Sequence, residues 1–206
     1  PVFNGGDLFS GAIKSIEESG LNFANVFISF NGVSELDYDN FNNIKNLGGL
    51  KYTYTIFQTF RDLDAVDHAL FIANKLKRFI ANDASLFLLA HDDRIVPVSD
   101  SSSLYAYLEQ TCFCETVCFP RYDCCIAGDY DNIYNVYGKE ECFSPSEFFW
   151  FTLEKNLSTN MSGMIVPFSA WEQAILAGKK AASGARFEHF CCVAQSIKAI
   201  RFTTKY

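Results

Sequence analysis

The sequence predicts an α/β fold: a single domain built on a central, mostly parallel sheet flanked by helices. Three observations carry this prediction. Apolar strand-like runs alternate with amphipathic helical segments from the start of the chain to about residue 96, which is the pattern of parallel strands joined by crossover helices. The run Ser85-Leu86-Phe87-Leu88-Leu89-Ala90 is apolar, too short to span a membrane, and stops at His91-Asp92-Asp93. The chain has 206 residues, 49% of them apolar, enough for one core.

Taken in order, Pro1 to Phe3 resembles the end of a strand and Asn4-Gly5-Gly6 a turn. The chain starts without Met and inside that strand, so residues upstream are expected to be missing. A helix opens at Asp7 or Ser10, with Leu8, Ala12, Ile13 and Ile16 at helical spacing, and Gly20 closes it. Asn25 to Phe30 is a second strand, stopped by Asn31-Gly32, a strong turn signal. Tyr52 to Phe57, rich in Thr, Tyr and Ile, is a third. Ala65 to Ile80 is an amphipathic helix and Leu86 to Ala90 a fourth strand.

The pattern changes after Pro97, so the domain divides into halves at 1–96 and 97–206. Leu104 to Leu108 is a short helix, and Cys112 to Phe119 and Cys124 to Ile126 are extended. Gly128 to Gly138 is a loop. Ser144-Pro145-Ser146-Glu147 has the composition of a helix start. Phe148 to Phe151 then forms a bulky aromatic face, better suited to a core than to a cofactor. Asn160 to Pro167 is a loop followed by a strand, Trp171 to Ala177 a helix ending at Gly178, and Cys191 to Ile200 a helical tail.

The formal net charge of -7 argues against a broad nucleic-acid binder, which needs a basic face. Of eight cysteines, five lie between 112 and 125. Reduced thiols in a core are the expected reading. Zinc and disulfides remain open, although the spacing matches no paired CxxC pattern and the vicinal pairs at 124–125 and 191–192 do not resemble a disulfide framework.

Asp92 and Asp93 are the most informative residues. In open α/β sheets ligands bind at the carboxyl ends of strands. Two adjacent carboxylates there repel, and a hard divalent cation relieves the repulsion while leaving positions for substrate phosphates. The alternative is a helix cap, a role Asp fills well.

Several segments together resemble glycosyltransferase family 2, inverting enzymes of the GT-A fold. Pro1-Val2-Phe3-Asn4-Gly5 is similar to that family's opening P-V/T-Y/F-N. Val26 to Ser34 is similar to its second strand and D-D-G-S turn, and Leu88 to Asp93 to L-D-x-D-D, which carries the D-x-D metal motif. Ser162 to Pro167 resembles the strand lining the acceptor cleft. Gly184 to His189 lies about where the family's catalytic acid does. The chain departs from the pattern at Ala90, where the family has the first acid of D-x-D, and at Phe30-Asn31, where it has the acid that meets the base.

The resemblance implies a Rossmann-like GT-A domain with a nucleotide-sugar-binding half (1–96) and an acceptor-binding half (97–206). It implies Asp92 as ligand of a divalent metal, Mn²⁺ or Mg²⁺, aided by His91 or His189. Phe3 and Asn31 would lie on base and ribose, Asp93 on the donor sugar or in support of the metal site, and Arg186 on the diphosphate or paired with Glu188. Glu188 would be the catalytic base, with Asp129 or Asp131 in reserve. The expected partners are a nucleotide-sugar donor and a glycan or lipid-linked glycan acceptor, with no nucleic acid. The expected place is cytoplasmic, with peripheral contact at the inner membrane through Lys198, Arg201 and Lys205, or those charges form a solvated helix face. Two other classes stay open: a binding module on the same fold without turnover, and a nucleotidyltransferase. The latter would show a basic, Gly-rich phosphate loop that Asn4-Gly5-Gly6-Asp7 lacks.

Overall fold

The computed structural model describes residues 1–2, 5–32, 35–46, 48–95, 101–110, 116–118, 122–123, 134–135, 141–144, 147, 162–181 and 200–202. In chain order these form α1 (Gly6–Glu18), β1 (Val26–Phe30), α2 (Glu35–Asn46), β2 (Tyr54–Gln58), α3 (Ala65–Leu76), β3 (Ser85–Leu88) and α4 (Ser101–Gln110). There follow β4 (Thr116–Cys118), β5 (Tyr122–Asp123), β6 (Tyr134–Asn135), β7 (Glu141–Phe143), β8 (Met164–Pro167), α5 (Phe168–Ala181) and β9 (Ile200–Phe202).

β1 and β2 pair in parallel, Val26 opposite Tyr54 through Phe30 opposite Gln58. Val2 extends this sheet on the other side of β1, bridging Phe30 in parallel: its N–H donates to Ser29 O at 2.7 Å, and its carbonyl accepts from Asn31 N–H at 2.8 Å. Side chains alternate across a strand, so β1 serves two layers. Ile28 and Phe30 pack with Val2, Phe9, Ile13 and Phe41 beneath α1 and α2. Phe27 and Ser29 face the other way, Phe27 onto the α3–α5 core and Ser29 onto His68 of α3. That second core joins Val66, Ala69, Ile72, Ala73 and Leu76 of α3 to Phe168, Trp171, Ala174 and Ile175 of α5. Ala73 and Ala174 are completely buried, and their small side chains let the two helices approach. Ion pairs at the surface, Lys77 at the α3 C-cap with Glu172 and Lys179 with Asp67, also link the two helices; such pairs add little to stability.

The sheet around β3 differs from the expected mostly parallel one. Its order is β3-β8-β4-β9-β7, and three of its four pairings are antiparallel, with β4–β9 the parallel one. The reason lies at the end of β3. The Ser162-Gly163 turn that opens β8 sits beside that end: Gly163 N–H donates to Leu88 O at 2.8 Å, and Ala90 N–H donates to Ser162 Oγ at 2.9 Å. A strand leaving that turn must run back along β3. β8 is buried on both faces, Met164 and Val166 in the α3–α5 core and Ile165 against Leu104 and Leu108 of α4.

Other boundaries moved for identifiable reasons. α3 ends at Leu76, short of Ile80, and begins at the N-cap Asp64, whose carboxylate accepts Asp67 N–H at 2.7 Å. α5 begins at Phe168 and runs through Gly178, which is buried inside the helix rather than ending it. Ile200 opens a strand instead of closing a helix. α2 had no counterpart in the sequence reading. Near Ser144 the expected start signal is present: Ser144 N–H donates to Glu147 Oε2 at 2.8 Å and Glu147 N–H to Ser144 Oγ at 3.4 Å, a capping box. The aromatic run at 148–151, most of the cysteine cluster and most of the tyrosine-bearing loop lie outside the described residues.

Candidate functional site

The carboxyl ends of the parallel pair β1 and β2, the end of β3 in the neighbouring sheet, and the start of α1 define the candidate site; ligands of open α/β sheets bind at such strand ends. At the end of β1 the Asn31 side chain is engaged with the backbone of Leu63. Its Nδ2 donates to Leu63 O at 2.8 Å and its Oδ1 accepts Leu63 N–H at 2.9 Å. Thr59, buried, accepts Gly32 N–H at 2.6 Å and donates to Arg61 O at 2.8 Å. The loop at 59–63 is thereby stitched to the β1 turn, and it carries a fully exposed Phe60.

Gly32 has φ +81°, and a Cβ there would overlap the Asp62 carboxylate. Left-handed backbone costs an L residue roughly 1–2 kcal/mol, and Asp62 would also have to move. Gly32→Ala is therefore expected to lower the unfolding free energy by about 1–2 kcal/mol in urea titrations, with a loss below half of that counting against the strain argument.

The start of α1 is capped from a distance. Gly5 at the N-cap has no side chain to accept the helix's free N–H groups. Asp37, wholly buried in the first turn of α2, accepts Gly5 N–H at 3.1 Å and Gly6 N–H at 2.8 Å. A carboxylate at that end also meets the positive pole of the helix. The position where a helix N-terminus would receive a ligand anion is thus taken by the protein's own acid.

Beyond β3 the chain turns, Asp93 N–H donating to Ala90 O at 3.3 Å. Asp92 is exposed and Asp93 half-buried. The His91 ring lies against Gly5, where a Cβ would come within 3.0 Å of Cδ2. The Arg94 guanidinium lies against Gly11 of α1, and Ile95 N–H donates to Ser15 Oγ at 3.0 Å. The two acids after β3 are thereby held next to α1 on one side and next to the start of β8 on the other.

This architecture is similar to that of S. aureus TarS, a glycosyltransferase, with a TM-score of 0.66 at 10% sequence identity. The chain shares the fold of the matched part of TarS. All of it is covered by the match, which spans 34% of TarS. No protein family profile matches the sequence, and no curated protein matches it.

Asn31 lies at the end of β1, engaged with the 59–63 loop, and His91, Asp92 and Asp93 lie in the turn after β3, where the His91 ring meets the start of α1. Phe3, Arg186, Glu188, His189, Asp129 and Asp131 lie outside the described residues. No three His, Cys, Asp or Glu side chains among the described residues cluster as a metal-binding group. Asp92 nonetheless offers exposed carboxylate oxygens, the hard donors that Mg²⁺ and Mn²⁺ prefer, and such ions are commonly held by one or two carboxylates plus substrate phosphates.

Sequence reasoning overlooked Asp37, Thr59 and Arg94. Asp37 is one of two acids in the first turn of α2, with Glu35, and nothing in the sequence separates the buried one from its neighbour. Arg94 had a signal: Gly11 sits inside a helical pattern, and an isolated glycine there usually serves close packing.

Proposed function

We propose that the chain is the catalytic domain of an inverting glycosyltransferase that moves a sugar from a nucleotide-sugar donor to a hydroxyl of a glycan acceptor. The reading puts it in bacterial surface polysaccharide or lipopolysaccharide synthesis, on the cytoplasmic side, with peripheral contact at the inner membrane; of the basic residues expected on a helix face there, Arg201 is instead in β9, and Lys198 and Lys205 lie outside the described residues. The observation that carries this is the pair Asp92 and Asp93 at the carboxyl end of β3 in a fold shared with part of a glycosyltransferase.

In this proposal Phe3 and Asn31 meet the base and ribose. Asn31, engaged with Leu63 through its amide, acts mainly by shaping the 59–63 loop. Asp93 takes hydroxyls of the donor sugar, and Arg186 meets the diphosphate. Asp92 holds the divalent ion, which when bound stabilises the negative charge developing on the leaving diphosphate. Glu188 accepts the proton of the acceptor hydroxyl as its oxygen attacks the anomeric carbon. The bond to the nucleotide diphosphate breaks on the opposite face, and a single displacement inverts the centre. The cleft's contribution is alignment of the two reactants. Among the described residues no helix is long and apolar enough to cross a membrane.

Calorimetric titration of UDP, GDP and dTDP, with and without Mn²⁺, tests the proposal. One nucleotide is expected to bind with metal dependence, and Asp92→Ala is expected to weaken it by about tenfold or more, the value of one charge-assisted ligand. Absence of binding by any of the three to the folded protein would sink the transferase reading and leave Asp92 and Asp93 as turn residues. A binding module without turnover is favoured by Ala90 in place of an acid. Nucleotide-sugar binding with neither transfer nor hydrolysis would select it.

A further inference from the structure

The donor's diphosphate is an anion that must approach two aspartates in a chain of net charge -7. The start of α1 does not serve it, since Asp37 occupies Gly5 and Gly6 N–H. The nearest cation in sequence to the acids is Arg94, and its placement is specific. A Cβ at Gly11 would lie 2.7–2.9 Å from Nη2, Nε and Cζ of Arg94, so the guanidinium occupies the gap left by the missing side chain. The next residue is fixed on the same stripe of α1, where Ile95 N–H donates to Ser15 Oγ at 3.0 Å. Positions 11 and 15 are one turn apart on one helix face. Arg94 is exposed, and no acid among the described residues forms an ion pair with it, although Asp92 and Asp93 immediately precede it. An arginine seated by packing and, among the described residues, without a carboxylate partner is placed to meet an external oxyanion, which its planar donors match well.

We infer that Arg94, seated in the Gly11 gap of α1, contacts the diphosphate of the donor nucleotide. This rests on the transferase reading above and assigns a phosphate-binding residue within that same site. Gly11 is a positioning residue, and this makes the inference separable from a structural role. Alanine is the better helix former, and the atoms it would displace are the far end of a flexible side chain. Gly11→Ala therefore keeps the fold and moves the guanidinium.

The test titrates UDP, GDP and dTDP into wild type, Arg94→Ala and Gly11→Ala with Mn²⁺ present, alongside the nucleoside of whichever nucleotide binds. Both variants are expected to bind the diphosphate about tenfold or more weakly, as for one charge-assisted contact. Nucleoside affinity is expected to stay unchanged, and the unfolding temperature of Gly11→Ala to equal or exceed that of wild type. The inference requires both variants to weaken. Wild-type affinity in either variant overturns it while leaving the transferase reading intact. Absence of diphosphate binding by wild type overturns both.

Discussion

Asp37→Ala is expected to lower the unfolding free energy by about 2–4 kcal/mol, the scale for stranding buried donors once served by a carboxylate. The carboxylate is wholly buried and accepts the N–H groups of Gly5 and Gly6. Alanine leaves both without their partner, removes the charge that faces the positive end of α1, and opens space between α1 and α2. Asp37→Asn retains one acceptor oxygen and turns an NH₂ toward the second donor, so its loss is expected to be smaller but still clear. Urea unfolding of the two variants beside wild type measures this directly. A loss under about 1 kcal/mol for alanine, within the range of ordinary surface substitutions, would mean that water replaces the carboxylate and that the cap is not structural. Because the His91 ring rests against Gly5, the same substitution is expected to loosen the turn that carries Asp92.

The second large effect is a pH dependence centred on His68. Its Nε2 lies 2.8 Å from Ser29 Oγ between α3 and β1, and both side chains are buried. Burial, the largest cause, depresses its pKa from 6.5 to about 4. The group titrates near 6.5 when unfolded, so between pH 6.5 and 4 the unfolded chain binds more protons than the folded one. Stability is therefore full above pH 6.5 and falls as the pH drops through this window. At most about 3 kcal/mol is lost by its lower end, at roughly 1.4 kcal/mol per unit. Carboxylates add their own losses at the acid end, so the informative quantity is the difference from His68→Gln, which retains polar contact with Ser29 but does not titrate. The variant is expected to show a flatter profile between pH 6.5 and 4.5, in line with that shift. Parallel profiles for the two proteins would show that His68 is not the group responsible.

What the sequence revealed follows from which interactions are local. β1, β2 and α3 were legible because β-branched and aromatic runs, or apolar residues at helical spacing, form them, and each is bounded by a turn or cap residue such as Asn31 or Asp64. α2 was not. Its segment, ELDYDNFNNIKN, is rich in Asn and Asp, poor helix formers, and its inward residues Phe41 and Ile44 are too few to set a period. The direction of β3's partner was equally hidden. A short apolar strand reads the same whether its neighbour runs with it or against it, and the deciding contacts, Gly163 with Leu88 and Ser162 with Ala90, join residues far apart in the chain. For the site, the acids at 92 and 93 stood out because charge abruptly follows an apolar run. The cap at Asp37 and the seat of Arg94 each depend on a helix meeting a remote segment, which no window of sequence contains.

The pairing of β3 with β8 also bears on how the protein is made. β1 and β2 come close in sequence, so their sheet can close early. β3 is an apolar strand whose neighbour, Met164–Pro167, is synthesised only after the intervening segments have emerged. Closing so long a loop is slow, because its entropy is lost before any contact repays it. During synthesis the edge of β3 waits unpaired, a state prone to joining other chains. The turn bearing Asp92 and Asp93 is thus among the last parts to take shape. A ribosome-bound chain halted before Met164 is expected to carry a formed β1–β2 unit but to lack the partner that clamps the end of β3.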